Sequence, residues 1–182
     1  IAIKLREGDE LVDAAVVGPG DEVVLVTSQG MAIRFRESDA RPMGRNTSGV
    51  KGIGLVSGDH VVGMVVADPD DSLLTICEKG YGKRTKFGPN ATNSEQQDEN
   101  QESLSSSAKY RTQKRGGKGL RDIRTSDRNG DVIGIARVND GDEIFMMTAK
   151  GKLQRIKAAD INVIGRNTQG VRIMNVDEGD SL

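Results

Sequence analysis

Gly8-Asp9-Glu10-Leu11-Val12 returns as Gly58-Asp59-His60-Val61-Val62, and again as Gly130-Asp131-Val132-Ile133. A further Gly179-Asp180 follows near the end of the chain. The spacings are 50, 72 and 49 residues, and self-similarity at such a period marks a chain built from repeated structural units. Each unit has the same internal order. An apolar strand comes first: Leu11 to Val17, Val61 to Val66, Val132 to Val138. An acidic turn follows, as in Pro19-Gly20-Asp21-Glu22 or Asp140-Gly141-Asp142-Glu143. A strongly apolar strand comes next: Val23 to Val26, Leu73 to Cys77, Ile144 to Met147. A turn with Gly30, Gly80 or Gly151 leads to a third strand carrying Arg34, Arg84 or Arg155. A longer glycine-bearing connection then reaches a fourth strand, around Ile53 to Val56 and Ile173 to Val176. Four short strands in about 50 residues is the arithmetic of a propeller-like, antiparallel all-β blade. The apolar runs are short and bounded by glycine, with no stripe of period 3.6, so the pattern favours strands over helical repeats. Short helical turns are expected only at Glu37 to Ala40 and Ala158 to Ile161.

The repeats run approximately over 8–57, 58–129 and 130–178, with 1–7 read as the last strand of a preceding blade. Ile3 to Arg6 is expected to pair into the first blade. The middle unit is 22 residues longer than the first. Its excess falls within 88–108 and includes Asn93-Ser94-Glu95-Gln96-Gln97-Asp98-Glu99-Asn100. Such polar, acidic sequence cannot bury a core, and disorder is expected from about Asn90 to Ala108.

Composition agrees with many short strands. Glycine accounts for 23 of 182 residues, well above the usual ~7%, which suits frequent tight turns. Aromatics are 3%, so the core must come from Val, Ile, Leu, Met and Ala. The lone Cys77 excludes an intramolecular disulfide framework and reads as a buried thiol. A single His60 excludes a multi-histidine metal site. No apolar run approaches the ~20 residues of a membrane span, and the cytoplasm is the natural compartment. The net charge of −1 excludes a uniformly basic nucleic-acid binder but leaves room for a basic stripe balanced by acids elsewhere.

That stripe is visible in the connections. The densest segment runs from Lys109 through Lys114, Arg115 and Lys118 to Arg121, with Gly116, Gly117 and Gly119 inside it. Long cationic side chains reach phosphates, and glycines permit close approach of backbone N–H groups. The first connection offers Arg45 and Lys51, and the third offers Arg166 and Arg172. Arg34, Arg84 and Arg155 recur at one strand position, with Lys83 and Lys86 nearby. Strand alternation sends Ile33 and Phe35 one way and Arg34 and Arg36 the other. Equivalent places in a radially repeated fold fall along one rim, and a positive rim is a track for a curved duplex. No base-reading element is evident, so binding is expected to depend on salt far more than on sequence.

Catalysis is not expected. Gly116-Gly117-Lys118-Gly119 lacks the spacing of a nucleotide-binding loop. The acid pairs Asp9-Glu10, Asp21-Glu22 and Asp142-Glu143 sit in repeated turns and read as solvated carboxylates rather than metal ligands. Tyr81 and Tyr110 can stack or pack, but neither has the surroundings of a nucleophile.

Gln113-Lys114-Arg115-Gly116-Gly117-Lys118-Gly119 resembles the basic signature box of the carboxy-terminal domain of bacterial DNA gyrase A. The runs Glu37 to Arg45, Cys77 to Thr85 and Val163 to Arg172 resemble that domain's later blades. The resemblance implies a β-pinwheel of propeller-like blades, about three of them here, with neighbouring blades sharing strands. It implies a non-catalytic module that binds and wraps duplex DNA around a basic perimeter. The parent, an ATP-dependent type IIA topoisomerase using ATP and Mg2+, can then introduce negative supercoils. Its implied partners are double-stranded DNA, the breakage-reunion domain of gyrase A, and gyrase B. No cofactor or metal is implied within the domain. A complete unit precedes the box-like run, which therefore resembles the degenerate copy of a later blade, with a structural and DNA-contacting role. The equivalent domain of topoisomerase IV is a remoter relative. A protein-interaction propeller would need exposed apolar or aromatic anchors, and the sequence offers few.

Overall fold

The computed structural model describes residues 3–90 and 108–182. Its elements are the short strands that β-branched runs between glycine turns dictate. They are β1 (Glu22–Thr27), β2 (Met31–Arg36), β3 (Val61–Ala67), β4 (Ser72–Cys77), β5 (Tyr81–Lys86), β6 (Leu120–Arg121), β7 (Val132–Val138), β8 (Glu143–Met147), β9 (Leu153–Lys157) and β10 (Val171–Arg172). The two expected helical turns are present as 3-10 turns at Glu37–Asp39 and Ala158–Asp160.

The strands assemble across the repeat boundaries. One four-stranded antiparallel sheet has the order β3-β1-β2-β6, a second has β10-β5-β4-β7, and β8-β9 form a two-stranded hairpin. The second and third strands of a unit thus form a hairpin, and its flanking strands come from the following unit. In the first sheet Val24 lies opposite Arg34 on one side and Val65 on the other. In the second, Leu74 lies opposite Arg84 and Ala136. The register shifts between Val26 and Thr27 in one sheet and between Ile76 and Cys77 in the other, at equivalent positions.

This exchange corrects three expectations. The fourth strand pairs at Val171–Arg172, ahead of Ile173 to Val176, and Ile53 to Val56 forms no strand. Leu11 to Val17 forms no strand and is exposed, Val16 at 96%. Ile3 to Arg6 forms no strand either. It is held by a hydrogen bond from the Lys4 amide to the Thr47 carbonyl at 3.2 Å. A first strand pairs with the hairpin of the unit before it, and residues 3–21 have no such hairpin among the described residues. The three blades are thus two complete sheets and the hairpin of a third. Most of the insertion expected to be disordered, 91–107, lies outside the described residues.

The sheets stack, so both faces are covered. Val24, Val26 and Ala32 on one face of the first sheet share a core with Leu73, Cys77, Tyr81 and Val132. Val23, Ile33, Phe35 and Ile53 pack on its other face. Leu74, Val138, Ala158 and Ile161 join the second sheet to the β8-β9 hairpin.

The turn glycines report the same exchange. Gly30, Gly80 and Gly151 hold one position with φ of 78°, 77° and 87°. A Cβ on Gly30 or Gly80 would run into the carbonyl oxygen of Ile123 or Met174, supplied by the following unit, whereas at Gly151 it would meet open space. Gly151→Ala should therefore cost only the left-handed backbone conformation, about 1–2 kcal/mol. Gly80→Ala should cost several kcal/mol, because a strand must also move away. Thermal unfolding of the two variants checks this, and equal losses would contradict the strand exchange.

Candidate nucleic-acid interface

The arginine that recurs on the third strand is an interior residue in two of its three copies. Arg34 is 1% exposed, and its Nε lies 2.6 Å from Glu22. Its NH1 donates to the carbonyls of Phe87 at 2.6 Å and Tyr110 at 3.0 Å, and its NH2 donates to Asn90 Oδ1 at 2.7 Å. Arg84 is 4% exposed. It donates to the Ile161 carbonyl at 2.9 Å and pairs with Asp140 at 2.5 Å. Arg155 is exposed, pairs with Glu143 and lies over the Phe145 ring. The expected alternation holds, but the side that carries Arg34 faces the next blade rather than solvent. Neither Arg34 nor Arg84 can reach a phosphate from these positions. Glu22, read as a solvated turn carboxylate, is buried against Arg34.

Lys83 is likewise removed from the surface. It is fully buried, with Nζ 2.6 Å from both Asp122 and Thr85. Asp122 also accepts from Tyr110 at 2.5 Å and Thr75 at 2.7 Å. Burial, then the Asp122 charge, pushes the Tyr110 phenol well above its ordinary range. Burial, with Asp122 and Asp131, pushes the neighbouring Cys77 thiol up to about 12, so it is an inert core group as expected.

The box-like run is both a joint and a surface. The Gly116 amide donates to the Gly52 carbonyl and the Gly54 amide to the Gly117 carbonyl, each at 2.7 Å. One unit on, Asn167 donates to Asp122 at 2.7 Å and Arg124 to Thr168 at 2.8 Å, at equivalent positions. Gly116 and Asn167 both have positive φ, 83° and 61°, the conformation this docking requires. The adjacent arginines repeat the pattern. Arg115 donates to the carbonyls of Asp39 and Lys51, and Arg166 to those of Lys109 and Arg121. Arg115 and Arg166 are only half-exposed and tie one connection to the next.

What remains at the surface is a smaller set than the sequence suggested. Arg45, Lys51, Lys114 and Lys118 are exposed, and none makes an ion pair within the described residues. Lys86 is exposed and donates to the Asp70 carbonyl at 2.8 Å. Arg172 is exposed on β10, opposite Tyr81. Arg121, the last residue of the basic segment read from the sequence, is exposed, and sequence reasoning missed Arg124 and Arg128, both exposed as well. Arg121 holds in the second unit the place of Lys51 and Arg172.

The sequence and fold both have relatives. A family model described as "DNA gyrase C-terminal domain, beta-propeller" matches residues 1–18, 21–68, 71–88, 105–139 and 142–182. The chain belongs to the DNA gyrase C-terminal domain family. The DNA gyrase A protein of Escherichia coli K12 is 39% identical over 182 residues, covering all of this chain and 18% of that protein. The solved DNA gyrase A C-terminal domain superposes with a TM-score of 0.80 at 27% identity, over 100% of this chain and 55% of that one. The C-terminal domain of DNA topoisomerase IV gives 0.81 at 25% identity, over 99% and 50%. This member of the gyrase C-terminal domain family spans about a fifth of the length of the curated relatives it matches. Among its described residues no group of three or more His, Cys, Asp or Glu could hold a metal ion. No described helix is long and apolar enough to cross a membrane.

Proposed function

We propose that this chain binds and bends duplex DNA along its outer rim, as the non-catalytic wrapping module of a bacterial gyrase A protein in the cytoplasm. The observation that carries this reading is the set of exposed cations that make no ion pair among the described residues: Arg45, Lys51, Lys114 and Lys118. Arg172 and Lys86 are exposed as well, Arg115 and Arg166 are half-exposed, and Arg155 is exposed but paired with Glu143. Bending costs on the order of a few kcal/mol for tens of degrees and must be offset by many modest contacts. The parent enzyme would hydrolyse ATP with Mg2+ elsewhere, alongside the breakage-reunion domain and gyrase B, and use the wrapped duplex to introduce negative supercoils. The equally close superposition on the topoisomerase IV domain supports a second reading, decatenation without tight wrapping. Supercoiling by the full-length enzyme separates the two.

The test spares the residues that hold the fold. Lys114→Ala with Lys118→Ala removes two exposed cations and no interblade bond. The double variant should bind unrelated duplexes more weakly by similar factors. The slope of log K against log salt should fall by up to ~2, about one per lost phosphate contact. An unchanged slope takes the box-like run out of the DNA path.

A further inference from the structure

Tyr81 opens β5 directly after the Gly80 turn, where the other units have Met31 and Lys152. Tyr81 is 5% exposed: it packs in the core with Leu73, Cys77 and Val132, and two guanidiniums lie over its ring. Arg172, opposite on β10, lies 5.1 Å from the ring centroid, and Arg128, from the turn before β7, also lies 5.1 Å away. Both donate to the same phenolic oxygen, Arg172 NH2 at 2.8 Å and Arg128 Nε at 3.3 Å. Their remaining contacts are weak and neutral: Arg128 to Gln169 at 3.4 Å and Arg172 to Asn175 at 3.5 Å. Among the described residues no carboxylate pairs with either arginine.

We propose that Arg128, Arg172 and Tyr81 form a seat for one backbone phosphate of duplex DNA. Two like charges gathered on one oxygen, both exposed and without an acid, repel each other until an anion bridges them. Guanidinium forks match phosphate oxygens in a plane. The phenol accepts from both arginines, so its own proton is left to donate to a phosphate oxygen. Those two hydrogen bonds, Arg128 first, also hold the phenol below the usual tyrosine range, which strengthens it as a donor. The seat is particular to the second unit. At the equivalent strand pair in the first sheet Arg121 faces Met31, a poor partner for a guanidinium. The inference rests on the DNA-binding reading and deepens it, by placing one strong contact where β10 adds to the rim.

The experiment is a salt titration of duplex binding by the whole chain, with four variants. Arg128→Gln with Arg172→Gln should weaken binding about 10-fold or more at low salt and lower the log–log slope by up to ~2. Arg128→Lys should keep the slope while losing affinity, because the charge survives and the fork does not. Tyr81→Phe should leave the slope unchanged and weaken binding several-fold. Should the double variant melt early, Arg128→Gln alone, at an exposed turn, should still lower the slope by up to ~1. A wild-type chain that does not bind duplex overturns the DNA-binding reading itself. Wild-type binding that falls with Lys114→Ala and Lys118→Ala, but not with the arginine variants, overturns the phosphate seat alone.

Discussion

Replacing Asp122 by Ala should destabilise the chain by about 3–5 kcal/mol, the cost of leaving a buried charge without its partner. Asp122 follows β6 of the first sheet, while Lys83, Thr75 and Thr85 belong to β4 and β5 of the second. One carboxylate therefore ties two sheets and Tyr110 together. Its loss leaves the Lys83 ammonium fully buried with only Thr85 as a partner. The melting temperature should drop on the order of 10 °C for a domain of this size. The charge can be separated from the hydrogen bonds. Asp122→Asn with Lys83→Met keeps acceptors and donors for Tyr110 and Thr75 while removing both charges. That double variant should lose much less than Asp122→Ala, since a buried ion pair often contributes little beyond what a neutral pair of similar volume supplies. Equal losses would show that the charge itself holds the sheets.

Arg34→Met should be comparably severe, again about 3–5 kcal/mol. The methionine fills the stem's volume but takes the guanidinium from the Glu22 carboxylate and removes the donors that Phe87, Gly88 and Tyr110 share. These carbonyls lie on the two sides of the long insertion, at Phe87–Gly88 and at Tyr110. Hydrogen exchange should therefore show early loss of protection at the Tyr110 and Gln113 amides, which donate to the Phe87 and Arg34 carbonyls. Thr112, which donates to Glu22 at 2.6 Å, should loosen with them. Adding Glu22→Gln should recover part of the loss by removing the charge that Arg34 had balanced. Uniform protection across the chain in Arg34→Met would mean that the guanidinium does not clamp those ends.

The period, the strands of each hairpin, the short helical turns and the all-β class were legible in the sequence, because each follows from local pattern. The exchange of strands between units was not legible from the pattern itself. A first strand such as Val61–Ala67 satisfies the same alternation whether it pairs with its own hairpin or with the one before. Only the resemblance pointed to shared strands. Exposure was the other failure. Recurrence of Arg34, Arg84 and Arg155 marks positional equivalence, and a stacked sheet has no wet face for alternation to reveal. Lys83 was misread for the same reason, although a signal existed. The first unit carries Ile33 and Gly52 at the Lys83 and Asp122 positions, and the third carries Gln154 and Ile173. Two departures confined to one unit point to a pair. Arg128 was missed because it meets Tyr81 across 47 residues of chain, with no shared motif.

Strand exchange also governs how such a chain can change length. The genetic unit begins at a Gly-Asp turn, but the folded unit is offset from it by one strand at the front and one at the back. Remove residues 58–129 whole, and β7 and β10 arrive beside β1 and β2 in the places that β3 and β6 had filled. Insert another copy, and each hairpin ahead of β8-β9 still finds a donor immediately downstream. Recombination between repeats therefore keeps the sheet pairing intact, whereas a cut inside a repeat leaves one hairpin bare. Gain and loss of blades, and with them the arc of the rim, can thus proceed in whole steps without passing through a gene whose product misfolds.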